Sequence, residues 1–460
     1  MSGLMGMLAG ASRALDAQRF GLDVVGQNMA NVNTDGYSKR VAEFASVPPT
    51  DRWSAGGGVE IVGARSMRDR IIDRRFREET SAERREYAIS EQLGIVEVAL
   101  GESGASLDDK LDDFFDAFTT LADTPTAATA RQEVILQGQS LASAFRDMAS
   151  RLTAAQRDTD FQVRGGVEQV NSIAERIASL NAALSGTSAT SPEGHHLRDE
   201  VNRALESLSE WVNVQAVERE GGGFDVALAN GSPLVVGDST YPLGVTDVPP
   251  SGLAAITAGG VAVTTSVTGG RLGGLIDVRD RAIPDYLTRL DEMAYAVATE
   301  VNTLHQAGFD LAGNPGVAFF QPMGPAGAAM AIGVNPTLTA TGGELLVAAS
   351  SSATAVGDNG MARQLAGLRE AKILAGGTAT ASESWARLVY RVGRDKQAAD
   401  DAQGTREEIT RQLRNLQDSV SGVSLDEEAA DLVRFQRAYE ANARFFSTID
   451  QTLDTLLNMV

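Results

Sequence analysis

Hydrophobic residues fall in an unbroken heptad at both ends of this chain. Near the start Leu4, Leu8, Ala11, Leu15, Gln18, Leu22, Val25, Met29 and Val32 follow steps of four and three. At the other end Leu425, Leu432, Tyr439, Phe446, Leu453 and Val460 recur every seven residues, with Phe435, Ile449 and Leu456 on the companion seam. A stripe of this period keeps one face of a helix toward a neighbour along its whole length, so each end must pack lengthwise on other helices. Residues 424–460 hold no Gly or Pro and would span about 55 Å as one helix. Ser424 followed by Glu427 has the spacing of a capping box at its start. Burial along one seam does not offset the entropy of ordering so long a segment. The two ends are therefore expected to pack on each other, to stay loose in a lone molecule, and to order fully within an assembly. Gln18 and Asn442 place a polar group on each seam, either to fix register or by chance.

Between the ends the period changes several times. Residues 3–33 read as one amphipathic helix, stopped by Asn33-Thr34-Asp35-Gly36, types that tolerate left-handed backbone. Residues 39–47 and 59–64 read as a hairpin with a long Pro-containing loop. Helical spacing returns at Arg68 toward Leu100, then on Leu107, Leu111, Phe114, Phe115, Phe118 and Leu121. A third long segment is entered at Pro125, weakens at Gly165-Gly166 and continues to Leu184, and a further helix covers 197–211. Phe224, Val226 and Leu228, then Val261, Val263 and Val267, alternate with other residues between Gly and Pro turns, as strands do. Helix resumes over 278–306, 360–372 and 383–420, while 308–357 shows little regular pattern. The expected fold is mainly α with a small antiparallel β domain, in an elongated nested multidomain chain whose terminal helices pair in a coiled-coil-like bundle. Domains are expected at 1–36 with 421–460 (terminal helices), 37–210 with 279–420 (helical middle, with a β-hairpin near 39–64) and 211–278 (β-rich outer domain). Part of 308–357 is left open to join the last of these.

Asp and Glu number 61 against 40 Lys and Arg, a net charge of −21. Such a surface repels phosphate backbones and anionic lipid, so nucleic acid is not expected as a partner. No stretch reaches the roughly 18 apolar residues of a membrane span, so membrane insertion is not expected either. Arg13 and Asp16 interrupt any apolar run of a cleavable signal, so a chain that leaves the cell must use another route. The absence of cysteine excludes disulfides, thiolate metal sites and cysteine nucleophiles.

Ala30, Asn31, Thr34, Gly36 and Tyr37 match the ANxxTxGY pattern that follows the first helix in bacterial flagellar rod, hook and hook-associated proteins. The run from Ser421 through Leu432, Phe435, Gln436, Ala438 and Tyr439 resembles the other end of the same proteins. Leu197-Arg198-Asp199-Glu200 leading into Leu208, Trp211 and Val214 resembles an internal element of the hook-filament junction members. So does the block Gly269-Gly270-Arg271-Leu272-Gly273-Gly274-Leu275, followed by Arg279-Asp280, Leu290-Asp291, Val301-Asn302, His305 and 308–320.

This resemblance implies a structural protein of the flagellum, extracellular and exported unfolded through the type III apparatus without a cleavable signal peptide. It implies a tubular lattice of copies of the chain itself, with an inner wall of paired termini, a helical middle and a mainly β outer domain. It also implies contacts with hook protein on one side and the next hook-associated junction protein on the other, and an export chaperone on the C-terminal helix. The chain is short for the family, so a further outer domain is expected to be missing. The residues expected to carry assembly are Leu4, Leu8, Leu15, Leu22, Val25, Met29, Asn31, Thr34, Gly36, Tyr37, Leu425, Leu432, Phe435, Tyr439, Phe446, Ile449, Leu453 and Leu456. Among them Asn31 and Tyr37 are the candidate turn and contact residues of the inner wall, against the blander reading of a local helix stop.

Other combinations carry little chemistry. His195-His196 with Asp199 and Glu200 lacks a third nearby histidine and reads as a polar helix start rather than a metal site. The paired glycines at 269–270 and 273–274 lack the Lys-Ser/Thr of a phosphate loop and read as a tight strand-to-helix corner. Asp108-Asp109 and Asp112-Asp113 read as a solvated helix face. No cofactor and no catalysis are expected. The alternatives are another flagellar axial protein (hook or distal rod), or a flagellum-associated cell-wall hydrolase, which would need a cleft with paired carboxylates. The β region is also left open as a carbohydrate or host-surface binder.

Overall fold

The computed structural model describes residues 2–34, 36–48, 57–101, 106–188, 190–220, 222–355 and 357–457. The side chains of Leu4 and Leu456, together with Asp35, Val460 and most of the hairpin loop, lie outside the described residues.

Helix α1 (Ser2–Ala30) leads into a hairpin of β1 (Arg40–Ser46) and β2 (Val59–Ser66), followed by α2 (Arg70–Gly101), α3 (Leu107–Asp123), α4 (Ala128–Ser185) and α5 (Pro192–Trp211). Two small antiparallel sheets come next. One orders β3 (Val214–Glu218), β4 (Phe224–Leu228), β5 (Pro233–Val236) and β6 (Ser239–Thr240) as neighbours. The other orders β7 (Leu243–Val248), β8 (Leu253–Ala258) and β9 (Val261–Ala262). The chain returns through α6 (Gly270–Asp277), α7 (Ile283–Ala307), the single turns α8 (Ala328–Ala331) and α9 (Pro336–Thr339), α10 (Gly360–Gly367), α11 (Ala381–Ser421) and α12 (Leu425–Leu457). The fold is mainly α with small antiparallel sheets, and it is nested: α1 pairs with α12, and α2 with α11 inside them.

Helix α4 organises the interior. Its 58 residues span about 87 Å. The first half contributes Val134, Leu141, Phe145 and Leu152 to a core shared with α3, α7, α10 and the start of α11. The second half contributes Val163, Val170, Ile177 and Leu184 to a separate core under α5, α6 and the two sheets. The period that weakens at Gly165-Gly166 does not break the helix. Gly166 instead leaves room for Leu272, whose Cδ2 lies 2.7 Å from where a Cβ would stand.

Two expectations change here. Pro125 is not inside α4 but in the turn before it, where its carbonyl accepts from Arg131 Nε at 2.8 Å. The irregular 308–357 stretch packs on the helical core rather than the β region. Phe319 and Phe320 are fully buried there, with ring centroids 5.5 and 5.7 Å from that of Phe114. Backbone without periodicity gives no sequence signal, yet two adjacent aromatics bury enough apolar surface to hold it down.

The glycine corner has a direct cause. Gly270 adopts φ +67°, and a Cβ on it would lie 2.2 Å from the Trp211 carbonyl carbon. A Cβ on Gly274 would lie 2.4 Å from Arg85 O. Helix α6 is thus wedged against the end of α5 and the middle of α2 at distances only glycine permits. Helices α2 and α11 run antiparallel, joined by Gln417 to Asp73 at 2.7 Å near one end and Arg406 to Glu79 at 2.7 Å further along.

Candidate functional site

The terminal helices meet along a face narrower than the heptad implies. On α1 the buried side is Ala11, Ala17, Gly21, Val24, Val25 and Asn28, whereas Leu8, Leu15, Leu22 and Met29 lie half-buried along its flanks. The stripe is turned by about one residue because small side chains at 17 and 21 let α12 come close. A Cβ on Gly21 would lie 2.5 Å from the Phe435 ring, so the ring occupies the space a side chain would need. Phe44 of β1 meets the same ring edge-on, with centroids 6.5 Å apart. On α12 the described side chains that are fully buried are Glu428 and Ile449. Leu432, Phe435, Asn442, Phe446 and Leu453 are half-buried, and Leu425 and Tyr439 are exposed. Among the described side chains, Ala11, Val25 and Ile449 are therefore the expected seam residues that the lone chain buries completely.

The turn after α1 is built by its own side chains. Asn31 donates from Nδ2 to Gln27 O at 2.9 Å and accepts from Thr34 Oγ1 at 3.2 Å, and the Tyr37 backbone N–H returns to Thr34 O at 3.1 Å. Gly36 sits at φ +73°, and a Cβ there would lie 2.6 Å from the aliphatic part of Arg203 on α5. Both demands select glycine. Asn31, Thr34, Gly36 and Tyr37 thus come together as one turn, which borders a shared pocket with Ser424 and Glu427 at the start of α12.

The centre of the site is a residue the heptad pattern passes over. Asn28 is buried and uses its whole amide. Nδ2 donates to Arg40 O at 2.8 Å and to Glu428 Oε2 at 3.0 Å. Oδ1 accepts from the Tyr37 hydroxyl at 2.9 Å and from the Arg40 N–H at 3.0 Å. One side chain therefore ties α1, the turn, β1 and α12 together, and every buried polar group it touches is satisfied by it. Burial pushes the Tyr37 phenol above its ordinary pKa despite the opposing charge of Arg40, whose guanidinium carbon lies 4.8 Å from the ring centroid. The phenol stays a donor.

Lys39 fastens the start of α12. Its N–H donates to Ser421 O at 2.7 Å, and its ammonium reaches Glu427 at 2.6 Å and Glu428 at 3.3 Å. Burial alone would lower this lysine, but the two glutamates hold it above its usual value. Glu427 thus turns toward Lys39, where the capping-box spacing would have it bond back to Ser424. Arg40 continues the network inward to Asp199 at 3.4 Å, a carboxylate that also accepts from Ser38 at 3.2 Å. Burial raises Asp199 against the opposing charges of Arg68 and Arg40.

The histidines that tempt a metal reading are otherwise engaged. His195 is buried with Nε2 2.8 Å from Ala64 O, joining α5 to β2, and burial lowers its pKa. His305 donates from Nδ1 to Val317 O at 2.5 Å and accepts at Nε2 from the Ala348 N–H at 2.9 Å. That pairing fixes one neutral tautomer, and burial lowers its pKa to about 4.

Sequence comparison agrees with this geometry. Residues 93–320 match the family described as flagellar hook-associated protein FlgK helical domain, and residues 418–459 match flagellar basal body rod FlgEFG protein C-terminal. The chain is 26% identical to flagellar hook-associated protein 1 of Escherichia coli (strain K12), over 98% of this chain and 99% of that one. It is 28% identical to flagellar hook-associated protein 1 of Bacillus subtilis (strain 168), over 97% of each. The first alignment runs to 546 positions against 460 residues here, so that relative carries added residues inside the matched span. The flagellar hook junction protein FlgK from Burkholderia pseudomallei has a similar fold, with a TM-score of 0.67 at 17% identity over 76% of this chain and 100% of that one.

Proposed function

Because the chain belongs to the flagellar hook-associated protein 1 family, we propose that it is a structural component joining the flagellar hook to the filament, and that it polymerises through its terminal helices. The observation that carries the assembly step is the one-sided packing of α12. That helix is covered by α1 on one face and leaves Val433 and Phe445 exposed away from it, with Leu425 and Tyr439 exposed along the seam stripe itself. The first turns of α1 add exposed Met5 and Met7. A long helix with apolar side chains left on its outer face gains by packing on a neighbour, and a copy of the same pair supplies one. In this reading the half-buried flank of Leu8, Leu15, Leu22 and Met29 makes the lateral contacts, while the Asn28 network holds each subunit's two ends in register.

Hook protein and the next hook-associated junction protein are the partners at the two ends of the assembly, and the protein works outside the cell as an adaptor between two lattices. The same exposed face of α12 makes it the natural hold for an export chaperone before secretion. No chemistry is assigned to the chain. Immunogold labelling of flagella tests the reading, with a narrow band between hook and filament as the expected result. A deletion strain that builds hooks but no filaments separates the junction role from that of a hook or rod component. Peptidoglycan degradation by the purified protein would replace the structural reading with a hydrolase.

A further inference from the structure

Although the chain is strongly acidic overall, one cavity is arginine-rich. It lies between the hairpin, the start of α2, α5 and the β3–β4 pair, and has a volume of about 790 Å³. Arg65, Arg68, Arg70, Arg74, Arg77 and Arg198 line it, against the carboxylates of Glu43, Asp73, Asp199 and Glu218. At the rim the cations have partners: Arg70 pairs with Glu218 at 2.5 Å, Arg74 with Glu78 at 3.8 Å, and Arg65 with Glu43.

The floor differs. Arg77 is only 9% exposed and makes no hydrogen bond or ion pair among the described residues. Arg68 is ion-paired with Asp73 at 3.5 Å, yet its Nε and Nη1 are buried without a hydrogen-bond partner. The neighbouring acids are shared with other groups: Asp73 also accepts from Gln417 at 2.7 Å, Asp199 holds Arg40 and Ser38, and Glu206 faces Arg414 at 3.8 Å. Burial pulls the Arg77 guanidinium below its ordinary pKa. The buried Arg68 N–H groups that lack an acceptor are destabilising, and a fold keeps such groups where something else accepts from them.

We propose that this cleft binds a small tetrahedral oxyanion of the phosphate or sulfate class, held by Arg77 and Arg68. The planar fork of a guanidinium matches two oxygens of such an anion, which an ammonium does not do. Bound there, the anion links α2 to the hairpin and α5, the elements on which the turn after α1 rests. The site does not depend on the assembly role.

The test uses the full-length chain with arginine side-chain Nε–Hε signals followed by NMR during titration with sodium sulfate, at ionic strength held constant with sodium chloride. Two signals are expected to shift saturably, and Arg77→Met is expected to weaken binding at least tenfold. Arg411→Met, an exposed arginine on α11, serves as the charge-matched comparison and is expected to bind as the native chain does. A native chain whose signals respond to sulfate no differently than to chloride overturns the proposal, as does an Arg77→Met chain that binds with native affinity. Where Arg77→Met does not fold, Arg77→Lys keeps the charge and removes the fork, and the same tenfold loss is expected. An adventitious ion only, with shifts spread over exposed arginines and no saturation, also overturns it.

Discussion

At the scale of single residues, the amide of Asn28 outweighs any apolar residue of the terminal seams. Replacing it with leucine keeps the volume but strands the Tyr37 hydroxyl, the Arg40 N–H and the Glu428 carboxylate without their bonds to it. The expected cost for Asn28→Leu is about 2–4 kcal/mol, larger than the usual gain from an added apolar group. Faster amide exchange across 28–40 and 425–435 is the measurement. Gly21 gives a second case. Gly21→Ala should lose stability by about 1–2 kcal/mol through collision with the Phe435 ring, against a helix-propensity gain of nearly 1. In a Phe435→Ala background the same change should become stabilising, and a double-mutant cycle by chemical denaturation shows whether the sign reverses. His305 sets a pH dependence. The folded chain holds it neutral with a pKa of about 4, so as pH falls the unfolded chain takes up the proton first. Its contribution is therefore whole above about pH 7 and is lost between about 6.5 and 4, by roughly 3 kcal/mol in all. The stability gap between native chain and His305→Asn should narrow over that range, and urea titrations at pH 7 and 4.5 measure it.

Among the elements, α4 and α12 are both long and take their stability from different places. Helix α4 buries residues along its whole length in two cores, whereas α12 is covered along one face by α1, with Phe44 of β1 added at Phe435. Hydrogen exchange on the isolated chain should therefore find α12 exchanging orders of magnitude faster than α4, and comparable protection in the two would remove the case for assembly-linked ordering. The sequence makes these helices readable because their period is long and uninterrupted. The same logic explains what it hides. A heptad names large residues, so Leu8, Leu15 and Leu22 stand out, while the closest approach is made by Ala17 and Gly21, which carry no hydrophobic signal. Asn28 precedes the expected seam residue Met29 and becomes visible only when the turn folds Tyr37 back onto it. The turn itself was legible, since Asn31, Thr34 and Gly36 act over a few residues. Segment 308–357 was not, because its contacts are long-range and its backbone has no repeat.

For the molecule as a whole, the nesting separates folding from association. The two interior cores contain no residue of α12, so removing 422–460 should leave the midpoint of their thermal unfolding within about 2 °C and abolish self-association. Calorimetry with sedimentation velocity reads both, and a large drop in the midpoint would mean that the termini hold up the interior. Helix α4 has a mechanical consequence as well. Because one uninterrupted shaft is clamped at both of its halves, neither core can swivel against the other without bending a helix or tearing side chains out of a close-packed interior. A twist delivered at one end should therefore arrive at the other as rigid rotation rather than be dissipated in a joint, and any compliance is left to the thinner connections beside the terminal pair.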